Sequence, residues 1–202
     1  MSLILASASP RRRELIAHLG VACEVAVSGV DETVQVSELP EALARRLARA
    51  KAIEVARAHS SAVVLAADTI VVLDGAVLNK PADADDARSM LARLRHRDHD
   101  VITAVAVAKD GEVRVEAPSS RVTMRAYSET EVETWIASGG PFDKAGAYAV
   151  QDPAFAPVAR IEGCYCNVMG LPLWTALRMV RDAGIEAQDA GMPERCLACP
   201  LR

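Results

Sequence analysis

Aromatic residues are nearly missing from this chain: two Trp, three Tyr and two Phe make up 3% of 202 residues. Its core must therefore be packed with Ala, Val, Leu and Ile. Apolar residues reach 51%, enough for one substantial core and too many for wholesale disorder. No apolar run approaches the ~18 residues that a membrane span requires. The N-terminus has no charged segment leading into a long apolar one. The expectation is a cytoplasmic chain with no membrane partner. A basic excess is also lacking: 23 Lys and Arg face 27 Asp and Glu, for a net charge of −4. That argues against nucleic acid as a partner, which needs a broad basic surface. The four His, at 18, 59, 96 and 99, have no metal-ligand spacing. No Ser or Cys stands in a nucleophile motif, and Gly163-Cys164-Tyr165-Cys166 has no obvious base beside it. Five Cys, at 23, 164, 166, 196 and 199, are odd in number and scattered, which is not a disulfide framework. Cys196 and Cys199 form a lone C-x-x-C, read as unligated thiols with zinc as the alternative.

What is present starts at Ser7-Ala8-Ser9-Pro10-Arg11-Arg12-Arg13. An apolar run, Leu3–Ala6, precedes it, and an amphipathic run follows to Leu19-Gly20. Ser9 suits a helix N-cap and Pro10 the first helical position. Cations in a first turn oppose the helix dipole, so three arginines there need a reason. Free N–H groups, two hydroxyls and guanidiniums converging on a small volume point to an anion such as phosphate.

Strands are expected at Leu3–Ala6, Cys23–Val27, Ala62–Leu73, Ala147–Val150 and Val158–Ile161. A hairpin is expected from Val101–Lys109 to Glu112–Arg125, turning at Asp110-Gly111. Helical patterns occupy 10–19, 40–58, 84–94, 129–137 and 172–183, and Ser128 with Glu131 matches a capping box. Strands and helices alternate early and a long hairpin follows, so the fold class is α/β with a mixed sheet. Residues 1–185 read as one catalytic domain. Residues 186–202 lose periodicity and read as a C-terminal tail, either docked or disordered.

Asp68 interrupts the apolar strand, where a carboxylate is costly unless paired or functional. Lys80 follows a turn at Asp74-Gly75 and is expected to swing back toward Asp68 or a phosphate. Asp31-Glu32 lies in a loop where carboxylates could hold Mg²⁺. On the long helix, Arg45, Arg49 and Lys51 form a mostly wet face from which one cation could reach inward. Small residues at 145–147 allow close approach of a ligand, and Gln151 offers a donor and an acceptor suited to a base edge.

Together these pieces resemble the Maf family of nucleoside triphosphate pyrophosphatases. The matching segments are Leu5–Arg12, Val30-Asp31-Glu32, Leu47–Ala52, Ala67-Asp68-Thr69, Asn79-Lys80-Pro81, Asp143–Tyr148 and Gly170–Leu173, in the family's order. The resemblance implies a twisted mixed sheet flanked by helices, with two lobes around a central cleft, like that of inosine-triphosphate pyrophosphatases. It implies hydrolysis of a nucleoside triphosphate to the monophosphate and pyrophosphate, a divalent cation (Mg²⁺ or Mn²⁺), and a homodimer. By the same resemblance Asp68 is the proton acceptor, with Glu32, Lys51 and Lys80 as further catalytic positions. Glu32 and Asp68 would hold the metal. Ser7, Ser9, Arg11 and Arg12 would bind the triphosphate. The combination of Arg11, Thr69 and Gln151 is like the branch acting on dTTP and UTP. The alternatives are a pyrophosphatase for 7-methyl-GTP or modified purine triphosphates, and a nucleotide-binding cell-division regulator without turnover. Gln151 departs from the family pattern in being followed by Asp152-Pro153, where relatives usually have Gly.

Overall fold

The computed structural model describes residues 1–202. Strand β1 (Leu3–Ala6) is wholly buried and leads into helix α1 (Pro10–Ile16), capped by the Ser9 hydroxyl. The pattern expected to be helical to Leu19 tightens after Ile16 into a 3₁₀ turn ending at Gly20. Strand β2 (Cys23–Val25) follows, then α2 (Pro40–Ala58), β3 (Val63–Leu73), β4 (Ala76–Leu78) and α3 (Ala84–Leu94). The second half contains β5 (Asp98–Lys109), β6 (Glu112–Glu116), β7 (Ser119–Met124), α4 (Glu129–Ala137), β8 (Val158–Glu162), α5 (Tyr165–Met169), α6 (Leu173–Asp182) and α7 (Glu194–Leu197). The expected capping box closes at the start of α4, Ser128 and Glu131 bonding each other's backbone.

One mixed sheet runs β2-β1-β3-β5-β7-β8, with β4 beside β3 and β6 beside β5. Strands β2, β1 and β3 are parallel, whereas β5, β7 and β8 join antiparallel. The two edges of β3 are unequal. On one, β5 pairs with Val64 through Val72. On the other, β1 covers Val63–Ala66 and β4 covers Val71–Leu73, so Ala67–Ile70 have no neighbouring strand.

Strand periodicity distributes the core. Ile4, Ala6, Val64, Ala66 and Ile70 face α2, meeting Leu43, Leu47 and Val55. Leu3, Leu5, Val63 and Leu65 face the other way, onto Leu15, Leu173, Leu177 and Val180. A third cluster surrounds α3 and α4 and takes Val71 and Leu73 from β3. The second and third clusters therefore share one face of β3, and Thr69 stands between them.

Three expectations are corrected. The return arm of the long hairpin is two strands, because Ala117-Pro118 breaks it and Pro118 has no N–H to donate. Both halves still pair with β5. Ala147–Val150 is not a strand: Gly146 and Ala147 have φ of 69° and 63°, which turns the chain out of an extended path. The cysteines are not all thiols, since Cys166 and Cys196 form a disulfide across 30 residues. Of the two alternatives for the tail, docked or disordered, the structure has the docked one. Ala187, Met192, Cys196 and Cys199 are buried in the α6 cluster, and the N–H groups of Gln188 and Ala190 donate to the carbonyls of Leu19 and His18. No helix is long and apolar enough to cross a membrane.

Candidate active site

A cleft of about 770 Å³ opens where β3 lacks a neighbour, and Ser7, Ser9, Arg11, Arg12, Glu32, Lys51, Asp68, Thr69, Lys80 and Gln151 line it, whereas Asp31, Arg45 and Arg49 do not. Its floor is set by two periodicities. Leu43, Leu47, Lys51 and Val55 recur at helical spacing, so Lys51 belongs to the buried stripe of α2. Asp68 is an even-numbered residue of β3 and faces α2 with Val64, Ala66 and Ile70. The two meet with Lys51 Nζ 2.7 Å from Asp68 Oδ1, and Nζ is also 2.6 Å from Glu32 Oε1. Lys51 and Asp68 are 8% and 6% exposed, so this is a buried charge pair held in place by a third, more exposed group. Burial alone would raise the Glu32 carboxyl pKa, but Lys51, Lys80 and Arg12 outweigh it and hold it below the usual range.

Of the two roles expected for Lys80, toward Asp68 or toward a phosphate, the first is taken by Lys51, reaching inward from α2. Lys80 is exposed at the cleft wall and makes no ion pair. Of the adjacent acids only Glu32 enters the cluster, because Asp31 is tied to the backbone N–H and hydroxyl of Thr33 at 2.9 and 2.6 Å. Arg45 and Arg49 do not point inward either. They donate to the carbonyls of Val115 and Val113 and so hold β6 against α2.

The phosphate-loop residues occupy the opposite wall. Ser7 is buried and accepts from the Ser9 N–H (3.2 Å) and from Arg12 Nη1 (3.4 Å). Ser9 caps α1, accepting from Arg12 N–H at 3.5 Å. With only seven residues, α1 has a short dipole, so the guanidiniums dominate the positive field here. Arg12 is anchored on three sides: Nε donates to Gly170 O (2.8 Å), Nη2 to Thr69 Oγ1 (2.9 Å), Nη1 to Ser7. Burial lowers its pKa, partly offset by Asp68. Gly170 has φ 111°, and a Cβ there would stand 3.3 Å from Thr69 Oγ1, so close packing at this carbonyl needs glycine. Arg11 is looser, 3.4 Å from Asp143 Oδ2, and Arg13 is exposed.

Thr69 continues a relay that sequence reading missed. Its hydroxyl lies 3.0 Å from that of Thr103, which donates to Asn167 O at 2.7 Å. Thr103 is wholly buried on β5, directly opposite Thr69 in the register, and polar residues facing each other across a strand pair are the signal that would have found it. His99 is a second missed group. It is buried, its Nε2 is 2.7 Å from the Tyr148 hydroxyl, and burial lowers its pKa to about 4. Gln151 sits exposed at the rim, between the cleft and an adjoining pocket of about 550 Å³. Its neighbour Asp152 turns the Pro-rich loop by accepting from the N–H groups of Ala154 and Phe155.

Fold and site together define a mixed α/β protein with an anion-receiving cleft: cations on two walls, a lysine-bridged carboxylate pair on the floor. A family model described as Maf-like protein matches residues 2–183, and the chain belongs to that family. A protein of Thermomicrobium roseum named dTTP/UTP pyrophosphatase is 46% identical over 205 residues, covering 100% of this chain and 94% of the relative. Relatives of the same name from Myxococcus xanthus (48% identical; 91% of this chain, 93% of the relative) and Halalkalibacterium halodurans (41%; 92% and 98%) are also similar. Among solved structures, a nucleoside-triphosphatase / dITP/XTP pyrophosphatase of Mycobacterium abscessus aligns with a TM-score of 0.42 at 19% identity, covering 63% of this chain and 76% of its own. The Ham1 protein of Staphylococcus aureus aligns with a TM-score of 0.46 at 15% identity, covering 61% and 72%.

Proposed function

We propose that this chain is a nucleoside triphosphate pyrophosphatase that hydrolyses dTTP and UTP to the monophosphate and pyrophosphate. The observation that carries the reading is the Lys51 bridge between Asp68 and Glu32, facing Arg11, Arg12 and Lys80 across one cleft. The names of the relatives support the substrate choice. In this reading residues 1–185 carry the catalytic unit and 186–202 an appended tail.

Arg11, Arg12, Ser7 and Ser9 receive the triphosphate oxygens, with Arg12 already locked at the angle its three partners impose. Asp68 orients a water and accepts its proton as the water oxygen attacks the α-phosphorus and the bond to the bridging oxygen breaks. Lys51, 2.7 Å from its Oδ1, holds Asp68 in place for that step. Lys80, having no carboxylate of its own, is free to neutralise charge growing on the departing pyrophosphate. Glu32 and Asp68 each meet Lys51 through one oxygen, leaving hard oxygen donors that suit Mg²⁺ or Mn²⁺. No group of three or more His, Cys, Asp or Glu side chains is arranged for a metal, so such a cation would complete its shell from water and phosphate. When bound there, the cation supplies Lewis-acid neutralisation of the phosphate oxygens. Arg11, Thr69 and Gln151 read the base. A homodimer, with neither nucleic acid nor membrane as partner, completes the reading.

A panel of dTTP, UTP, CTP, 7-methyl-GTP and ITP with Mg²⁺, scored for pyrophosphate and monophosphate, tests the proposal. The expected order places dTTP and UTP first. Preference for 7-methyl-GTP or ITP would move the chain to the purine alternative. Binding without pyrophosphate release would make it a sensor. Light scattering of the full chain checks the dimer.

A further inference from the structure

Four of the five cysteines, none of them lining the catalytic cleft, come together where the tail meets the body. Two arrive as Cys164-Tyr165-Cys166 at the start of α5, and two as Cys196-Leu197-Ala198-Cys199 at α7. Cys166 and Cys196 are bonded with Cα atoms 6.7 Å apart, and the side chains of Cys164 and Cys199 lie against each other. All four are buried in the same cluster, whereas Cys23 stands apart.

We propose that in its reduced form this quartet is a tetrathiolate metal site that takes Zn²⁺. The ligand type is that of structural zinc, two short cysteine pairs from distant parts of the chain, one C-x-C at the start of α5 and one C-x-x-C at α7. The surroundings fit as well. The Asn167 N–H already points at Cys164 Sγ at 3.4 Å, a bond that steadies a metal-bound sulfur. The thiolates would leave a net negative centre, and Arg195, next to Cys196, lies over the Tyr165 ring between Cys164 and Cys166. While the disulfide stands, no three side chains form a metal-holding group. A dithiol reductant opens it by passing two electrons and two protons to Cys166 and Cys196, itself becoming a disulfide. Zn²⁺ then displaces four thiol protons to the solvent.

The test uses the full chain, reduced with a dithiol, freed of reductant without air, and titrated with Co²⁺. Uptake of about one ion per chain with sulfur-to-cobalt charge-transfer and tetrahedral ligand-field bands is expected. Zn²⁺ should abolish those bands and protect all four cysteines, but not Cys23, from alkylation. Oxygen ligands such as Glu32 and Asp68 give no such charge-transfer band, so the readout is separate from the catalytic cation. Cys164→Ser and Cys199→Ser should lose the bands or weaken Co²⁺ binding by at least ~10-fold, while Cys23→Ser keeps them. Unchanged spectra in Cys164→Ser and Cys199→Ser would overturn the site, as would a reduced wild-type chain that gives no sulfur charge transfer. Should the serine variants fail to fold, the wild-type spectrum and alkylation pattern decide alone.

Discussion

Two clusters of opposite charge in this molecule look alike on paper and differ in consequence. On the surface, Arg88 joins Glu133 and Asp85 at 2.5 Å each, with all three side chains well exposed. In the cleft, Lys51 joins Glu32 and Asp68 at 2.6 and 2.7 Å, with Lys51 and Asp68 nearly dry. Water screens the first cluster and would replace any partner removed from it. It cannot do so in the second, where removing one partner strands a buried charge. A buried ion pair is therefore poor evidence of optimised stability and good evidence that the site needs charge there.

Breaking the inner cluster at its carboxylate should have the largest effect. Asp68→Asn is expected to lower turnover by about 10²–10⁴-fold, the usual contribution of a positioned base. Affinity for a non-hydrolysable nucleotide should change only a few-fold. Turnover close to wild type would remove Asp68 from that role. Removing the bridge with Lys51→Met should abolish activity and also cost about 3 kcal/mol in urea unfolding, the low end for a buried pair because the Glu32 side chain is 54% exposed. A loss of activity with no loss of stability would mean that the two carboxylates do not need the lysine to coexist in the fold.

His99 sharpens the contrast, being a buried titratable group that is neutral. Its folded pKa is depressed from 6.5 to about 4, so the unfolded chain binds the extra proton first as pH falls. Its contribution is complete above about pH 6.5 and is lost progressively down to about pH 4, amounting to about 3 kcal/mol. Unfolding free energies measured across that window should fall for the wild type and flatten for His99→Gln. The outer cluster should show the smallest effect. Arg88→Ala is expected to leave turnover unchanged and to move the melting midpoint least of the four variants.

Much of this was legible in the sequence for reasons that can be named. Helix α2 spans the expected residues because Pro40 opens it and its apolar stripe is continuous. Asp68 stood out because nothing polar precedes it on β3. Lys51 was half visible: its place in the stripe with Leu47 and Val55 marks it as inward, yet the same turn of helix also carries Arg49, whose outward role looks identical in one dimension. The choice for Lys80 between Asp68 and a phosphate stayed open because a sequence gives proximity along the chain, and the cation nearest Asp68 in space comes from another element. The disulfide was missed for a related reason, since five scattered cysteines do not announce which two will be neighbours. Ala147–Val150 looked extended by composition, and only the backbone's passage through positive φ at Gly146 and Ala147 rules that out.

The unequal edges of β3 bear on how such a cleft arises. Four consecutive residues, Ala67–Ile70, are skipped between the end of β1 and the start of β4. The opening is thus a missing rung in a ladder rather than a hollow in a core, and its width is set by where β1 stops. Side-chain substitutions can retune what the gap accepts. Lengthening β1 past Ala6 by even two or three paired residues would instead zip the gap shut, displacing Ser7 and every arginine behind it. Strand length, which no single residue encodes, is what keeps the site open.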